Sequence, residues 1–141
     1  MPDVKAAALL GGALALLACG DGRNAALNCQ QRLVDVLDTV PPRADPAGLG
    51  AGLASLQQRL DAVPRDGCSD DQSARADALA RSAGRAAALM RRIGDPLRAM
   101  ERSPGPEVDR DLRALMAEME GFETRRQALR QELLRMTEED R

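Results

Sequence analysis

The chain has 141 residues, enough for one domain with a modest hydrophobic core. It contains 22 acidic and 20 basic residues, so the formal net charge is −2 and no positive excess directs it to nucleic acid. Histidine, tryptophan and tyrosine are absent. The lack of histidine removes the commonest general base and the commonest metal ligand.

The chain starts with an apolar run of thirteen uncharged residues, from Ala6 to Ala18. A helix needs roughly 20 apolar residues to span a bilayer, whereas this run has the length of a signal-peptide core. It ends in Leu16-Leu17-Ala18-Cys19, which resembles the lipobox of bacterial lipoproteins. An ordinary secretory cleavage and an uncleaved N-terminal anchor are the alternatives for such a segment.

The lipobox resemblance covers residues 1–20 and implies a domain organisation. Residues 1–18 would be removed as a signal peptide, and Cys19 would carry lipid on its thiol and its new amino group. Residues 19–24 would form an acylated tether, and residues 25–141 a helical bundle domain. Gly20, rather than aspartate, follows the cysteine. In Gram-negative lipoproteins this usually implies sorting to the outer membrane, so we expect a periplasmic protein that contacts this membrane through its lipid.

Two cysteines, Cys29 and Cys68, remain if Cys19 is acylated. An even pair in an oxidising compartment predicts a disulfide, whose loop of about 40 residues would contribute roughly 4 kcal/mol. Two free buried thiols are the alternative, more typical of a cytosolic protein. Two thiolates without histidine fall short of a zinc ligand set, so neither a metal nor a cofactor is expected.

Three segments rich in proline and glycine, residues 41–46, 64–67 and 103–106, divide the remaining chain. Between them apolar residues recur at intervals of three and four, which is the period of a helix, and period-two alternation is absent. The sequence therefore predicts an all-α protein. Short connections favour an antiparallel bundle of four helices, with a short first hairpin and a long second hairpin.

Capping signals place the starts of the predicted helices. The first begins at about Asn24; the second has Asp45 as its N-cap and Pro46 in its first turn. The third begins at Ser69, where Gln72 completes a capping box. The four apolar stripes are Leu33, Leu37 and Val40; Leu49, Leu53, Leu56, Leu60 and Val63; Ala76, Leu79, Ala83, Ala86, Met90, Ile93, Leu97 and Met100; and Val108, Leu112, Leu115, Met119, Phe122, Leu129, Leu133 and Met136.

The segment Gly94-Asp95-Pro96 interrupts the third stripe. Because the stripe keeps its phase across this segment, we expect one kinked helix rather than a break that folds the last turns back. The third and fourth helices would then each span about 45 Å, and the first two little more than half of that. Opposite directions of the first two helices bring Cys29 close to Cys68.

Two features of the long hairpin concern packing and charge. With its turn near residue 104, Phe122 is expected opposite Ala86, Leu129 opposite Leu79, and Arg126 is expected to bury its stem while its guanidinium reaches water. Residues 75–102 carry a net positive charge and residues 107–123 a net negative one. A set of exposed ion pairs would offset these charges, with Arg91, Arg92, Arg98 and Arg102 near Glu107, Asp109, Asp111 and Glu118. An unopposed basic strip for anionic headgroups, lipopolysaccharide or cell-wall carboxylates is the alternative.

The sequence argues against an enzyme, since the serines of the mature chain have neither histidine nor lysine to activate them. We therefore expect a helical protein-interaction module, such as an adaptor, an accessory subunit or a pilotin-like protein. A ligand-binding module for lipid, lipopolysaccharide or cell-wall fragments is the alternative; no other small-molecule substrate and no nucleic acid are expected. Small helical lipoproteins with one disulfide are similar in outline to some type II secretion pilotins.

A partner surface is predicted where the long hairpin extends beyond the short helices. Two helices alone leave much of an apolar stripe uncovered, and such patches usually mark interfaces. A protein partner or a second copy of the chain is expected to contact this stripe, which consists of Ile93, Leu97, Met100, Val108 and Leu112.

Overall fold

The computed structural model describes residues 22–39, 46–103 and 105–139, without the side chains of residues 46, 47 and 97. Five helices and no strand occur in these ranges, so the predicted all-α bundle class is confirmed. The helices are α1 (residues 22–37), α2 (Pro46–Ala62), α3 (Asp70–Ile93), α4 (Pro96–Glu101) and α5 (Pro106–Glu139).

Several predictions near the start of the chain lie outside these ranges. They are the lipobox with Cys19, the stripe residue Val40 and the N-cap Asp45. The structure does describe part of the predicted tether, because α1 begins at residue 22. Residues 22–24 are therefore helical, and α1 begins two residues before the predicted start at about Asn24.

The start of α3 follows its sequence signals. Ser69 is the N-cap: its hydroxyl accepts a hydrogen bond from the backbone N–H of Gln72, at 3.1 Å. The side-chain oxygen of Gln72 in turn accepts one from the backbone N–H of Ser69, at 2.9 Å. Two backbone donors without partners inside the helix are thus satisfied, and the predicted capping box is confirmed.

The end of α3 differs from the prediction. The helix stops at Ile93, and Gly94 adopts a positive φ of 82° while its N–H donates to the carbonyl of Met90. A new helix, α4, begins at Pro96, which has no N–H to donate and disfavours a helical conformation in the residue before it. The expected kinked helix through Met100 is therefore wrong, and the predicted four helices become five.

The core lies between α1, α2, α3 and α5. Leu33 and Leu37 of α1 are buried against Leu53, Leu56 and Leu60 of α2, and alanines form most of the buried face of α3. Small residues allow these helices to approach closely: at Gly84 of α3, an added Cβ would lie 2.5 Å from the amide nitrogen of Gln57 in α2. The predicted core residues of α5 that are buried are Leu112, Leu115, Phe122 and Leu129.

The ends of the bundle differ in what they contain. At the base end, the first turns of α1 and the last turns of α5 line a common cleft, beside the connection between α2 and α3. At the distal end lie the end of α3, the short α4 and the start of α5. Because α3 has 24 residues, the two ends are separated by about 36 Å.

Candidate functional site

The disulfide ties α1 to the end of the connection between α2 and α3. The Cα atoms of Cys29 and Cys68 lie 5.3 Å apart, and the two residues are joined by the predicted bond. Cys29 is completely buried, whereas Cys68 is half-buried. Arg32, one turn after Cys29, strengthens this tie because its guanidinium donates to the carbonyls of Pro64 and Asp66, at 3.3 and 2.9 Å.

A buried polar network joins three helices near the base end. The side-chain amide of Gln72 donates to the carbonyl of Ala26 at 2.8 Å and to the side-chain oxygen of Gln30 at 3.2 Å. Gln30 is itself buried and donates to the carbonyl of Leu129 in α5, at 2.8 Å. Such a network requires every member to be satisfied. Sequence reasoning missed Gln30, whose partners are distant in the sequence.

The side chain of Arg126 is partly buried, as expected for a long charged residue on the packed face of α5. Its side chain is 29% exposed, and its guanidinium lies 2.7 Å from a carboxylate oxygen of Glu123 at the surface. The Nε atom is buried without a hydrogen-bond partner among the described residues. The stem is thus partly covered while the charged end reaches a surface partner, which is the arrangement that the sequence predicts.

Ion pairs between α3 and α5 follow the predicted opposite directions of these helices. Arg92 lies 2.6 Å from Asp111, and Arg85 lies 3.0 Å from Glu118. Asp109 does not pair across the two helices as predicted. Asp109 pairs with Arg113 in its own helix, at 3.0 Å.

Glu118 is a half-buried carboxylate between α3 and α5, and its pKa is shifted. Burial opposes its ionisation, but hydrogen bonds from Arg85 and Ser82 and the positive charges of Arg85 and Arg125 outweigh that effect. The pKa of Glu118 is consequently lower than its usual value. Glu118 therefore stays ionised as a structural anion between α3 and α5, and it is a poor general acid at neutral pH.

The five residues predicted to form a partner surface have different environments. Met100 is 60% exposed, and Ile93 and Val108 are half-buried. Leu112 is only 7% exposed, so the expectation that it belongs to an uncovered stripe is wrong. The side chain of Leu97 lies outside the described part of the chain.

Ile93 and Val108 nevertheless meet in an open groove of about 380 Å³, which we call the distal groove. Its lining comes from the end of α3, from α4 and from the start of α5, and α4 is present because the helix breaks at Gly94. Apolar atoms make up the larger part of the lining. The lining residues are Ile93, Asp95, Arg98, Ala99, Arg102 and Val108.

The described residues contain two other notable clefts. The cleft at the base end has a volume of about 370 Å³ and is lined by Arg23, Ala26, Leu27, Met136 and Glu139. A more apolar groove of about 460 Å³ runs between α1 and α2, along Val36 and Val63. All three clefts open to solvent along a helix surface.

The described ranges hold neither a candidate membrane span nor a candidate metal site. No helix there is long and apolar enough to cross a membrane. No group of three or more histidine, cysteine, aspartate or glutamate side chains there could hold a metal ion.

Comparisons with known proteins give no match for this chain. No protein-family model matches it, and neither a curated protein nor a solved structure does so.

Proposed function

We propose that this protein is a lipoprotein of the bacterial outer membrane whose helical domain acts in the periplasm as a protein-interaction module. The apolar run before Leu16-Leu17-Ala18-Cys19 supports acylation of Cys19, and Gly20 supports sorting to the outer membrane. The bond between Cys29 and Cys68 fits an oxidising compartment such as the periplasm. The module would act as an adaptor, an accessory subunit or a pilotin-like protein.

The placement of the two bundle ends carries the proposal of an interaction module. Only Gly20 and Asp21 separate Cys19 from the start of α1 at residue 22, a link of about 10 Å at most. An anchor on Cys19 would therefore hold the base end at the membrane surface. The distal end, with exposed Met100 and the distal groove, would point into the periplasm, where a protein partner can reach it.

A binding module for lipid, lipopolysaccharide or cell-wall fragments has less support. Ligand sites of that kind enclose most of their ligand. The three clefts described above are open along the helix surfaces. The space between α2 and α3 is filled by side chains, because the buried alanines of α3 pack against the leucines of α2.

Mass spectrometry tests the anchor. In membrane fractions of the native host, the intact mass should correspond to a chain that begins at Cys19 and carries a diacylglyceryl group. A Cys19→Ala variant serves as the control and should not be acylated at residue 19. Recovery of the unsubstituted chain as a soluble, unacylated periplasmic protein would contradict the anchor.

Site-specific photocrosslinking tests the interaction module. Met100 at the distal end and Leu134 near the base end are exposed to nearly the same extent, 60% and 62%, so a photoreactive residue at either position samples its surroundings equally well. We expect a discrete protein adduct from position 100 in intact cells and none from position 134. Adducts from position 134 alone, or from neither position, would contradict a distal interface.

A further inference from the structure

We infer that the distal groove binds an acidic amphipathic helix of a protein partner, an assignment that rests on the proposed interaction module and specifies what it binds. The floor of the groove is apolar and only half covered, because Ile93, Ala99 and Val108 are each partly exposed. Its volume of about 380 Å³ accommodates a few apolar side chains from one face of a helix. The walls are the end of α3, α4 and the start of α5, which form the kind of helical groove that receives an amphipathic helix.

Two arginines at the rim of the groove determine the charge of the partner. Arg102 makes no ion pair with any residue in the described ranges. Arg98 is exposed and has one carboxylate neighbour, Asp95, at 3.6 Å. Among the described lining residues Asp95 is the only acidic one, and it pairs with Arg98, so these residues together carry a net positive charge. Carboxylates that flank the apolar face of a bound helix would complement this rim.

The charges of the same end make a second copy of this chain a poorer occupant. Acidic residues at the start of α5 would have to supply the complementary carboxylates. Asp109 and Asp111, however, already pair with Arg113 and Arg92 of their own chain, at 3.0 and 2.6 Å. Of the acidic residues in the first turns of α5, this leaves Glu107 without an ion pair to a described residue, which is one carboxylate for two rim arginines. A separate protein with unpaired carboxylates satisfies Arg98 and Arg102 without breaking these ion pairs.

The position of the groove favours a protein over a lipid surface. It lies about 36 Å, the length of α3, from the base end at which Cys19 would be anchored. An anionic headgroup of the same membrane therefore cannot reach the rim. A strand partner is also disfavoured, since the described residues contain no sheet edge to which it could add.

The test uses two synthetic peptides and the full-length protein in detergent micelles. Each peptide has about 15 residues, enough for four helical turns, with leucines on one face. Glutamates flank the leucines in the acidic peptide, and lysines replace them in the basic peptide. Binding is measured by fluorescence anisotropy for the unsubstituted protein, for Arg98→Glu with Arg102→Glu, and for a control with Arg59→Glu and Arg81→Glu. The control changes the net charge equally but substitutes exposed arginines outside the groove lining.

We expect the acidic peptide to bind the unsubstituted protein and the control alike. The rim variant should lose at least about tenfold in affinity for it and should instead prefer the basic peptide, because like charges across an interface repel. Equal binding of both peptides, or no binding of the acidic peptide at about 1 mM, would overturn the inference. Self-association that the rim variant abolishes would also overturn it, in favour of a second copy.

Failure of this inference can be distinguished from failure of the proposed function. If position 100 forms a protein adduct in cells while the acidic peptide does not bind, only the chemistry assigned to the partner is wrong. If the acidic peptide binds as expected but no adduct forms at either crosslinking position, the interaction module is wrong as a description of the protein in its host.

Discussion

At the scale of single residues, Gly67 shows how closely the connection between α2 and α3 approaches α1. Its φ is +77°, a conformation that L side chains rarely adopt. A Cβ atom added there would lie 2.7 Å from the Cβ of Ala25 and 3.4 Å from the Cα of the same residue. Glycine is thus required at this position both by the backbone conformation and by the neighbouring helix.

We expect Gly67→Ala to lower the free energy of unfolding by about 3 kcal/mol, since it combines a strained backbone with a clash that shifts α1. Gly94→Ala is the matched control, because Gly94 has a similar φ of +82° but nothing within 4 Å of an added Cβ. The control should lose only the strain, about 1–2 kcal/mol. Urea unfolding followed by circular dichroism measures both, and equal losses would show that the close approach to Ala25 is unimportant.

At the scale of elements, α1 depends on covalent and polar ties to the rest of the bundle. An isolated helix of 16 residues is only marginally stable, so most of the stability of α1 comes from its packing. The disulfide joins it to the α2–α3 connection, and the amide of Gln30 joins it to α5. The carboxylate of Asp38 also pairs with Arg130, at the other end of α1.

Reduction of the disulfide should therefore destabilise the oxidised protein by up to about 4 kcal/mol, because the sequence separation of 39 residues leaves a long loop open in the unfolded chain. The measurement is the urea midpoint with and without dithiothreitol. Cys29→Ala with Cys68→Ala is the control and should show no response to the reductant. An unchanged midpoint after alkylation has confirmed two free thiols at positions 29 and 68 would contradict the expected contribution.

The break between α3 and α4 shows why a regular stripe can mislead. Residues 90, 93, 97 and 100 keep helical spacing, which favours a single helix on periodicity alone. Backbone chemistry decides otherwise: Gly94 takes a positive φ, and Pro96 can neither donate a hydrogen bond nor tolerate a helical residue before it. The break places α4 on one side of the distal groove.

At the scale of the whole molecule, the bundle has a tied base end and a less covered distal end. Packing of α2 reaches α3 as far as Met90, which lies 3.6 Å from an added Cβ at Gly50. Beyond this point the continuous core ends, and Ile93 is only half-buried. Leu112 is nevertheless buried near this end, so the boundary between core and surface passes between residues of one predicted stripe.

Arginine substitutions locate that boundary. We expect Leu112→Arg to lower the free energy of unfolding by about 2 kcal/mol or more, because it removes a buried apolar side chain and introduces a charge without a partner. Met100→Arg should change it by less than about 0.5 kcal/mol, since the side chain is 60% exposed. Thermal unfolding of both variants measures the difference. A stable Leu112→Arg variant would place Leu112 on the surface, contrary to its burial here.

The candidate surface was only partly predictable. Its location near the end of the third stripe follows from the lengths of the predicted helices, and three of its five residues line the groove or are exposed. The rim residues Arg98 and Arg102 were instead expected to pair across the hairpin with acidic residues of the fourth helix. Which arginine meets which carboxylate depends on the register between α3 and α5, and a shift of one turn exchanges the partners.

The helical class, the capping box at Ser69 and the pairing of Cys29 with Cys68 follow from the sequence, because periodicity, capping and disulfide chemistry act locally or within a small set of residues. The burial of Leu112, the exposure of Met100 and the hydrogen bond from Gln30 to the carbonyl of Leu129 follow instead from the packing of the helices. These properties depend on which surface covers each side chain. In this bundle that surface comes from segments far apart in the sequence, and no local pattern encodes their contact.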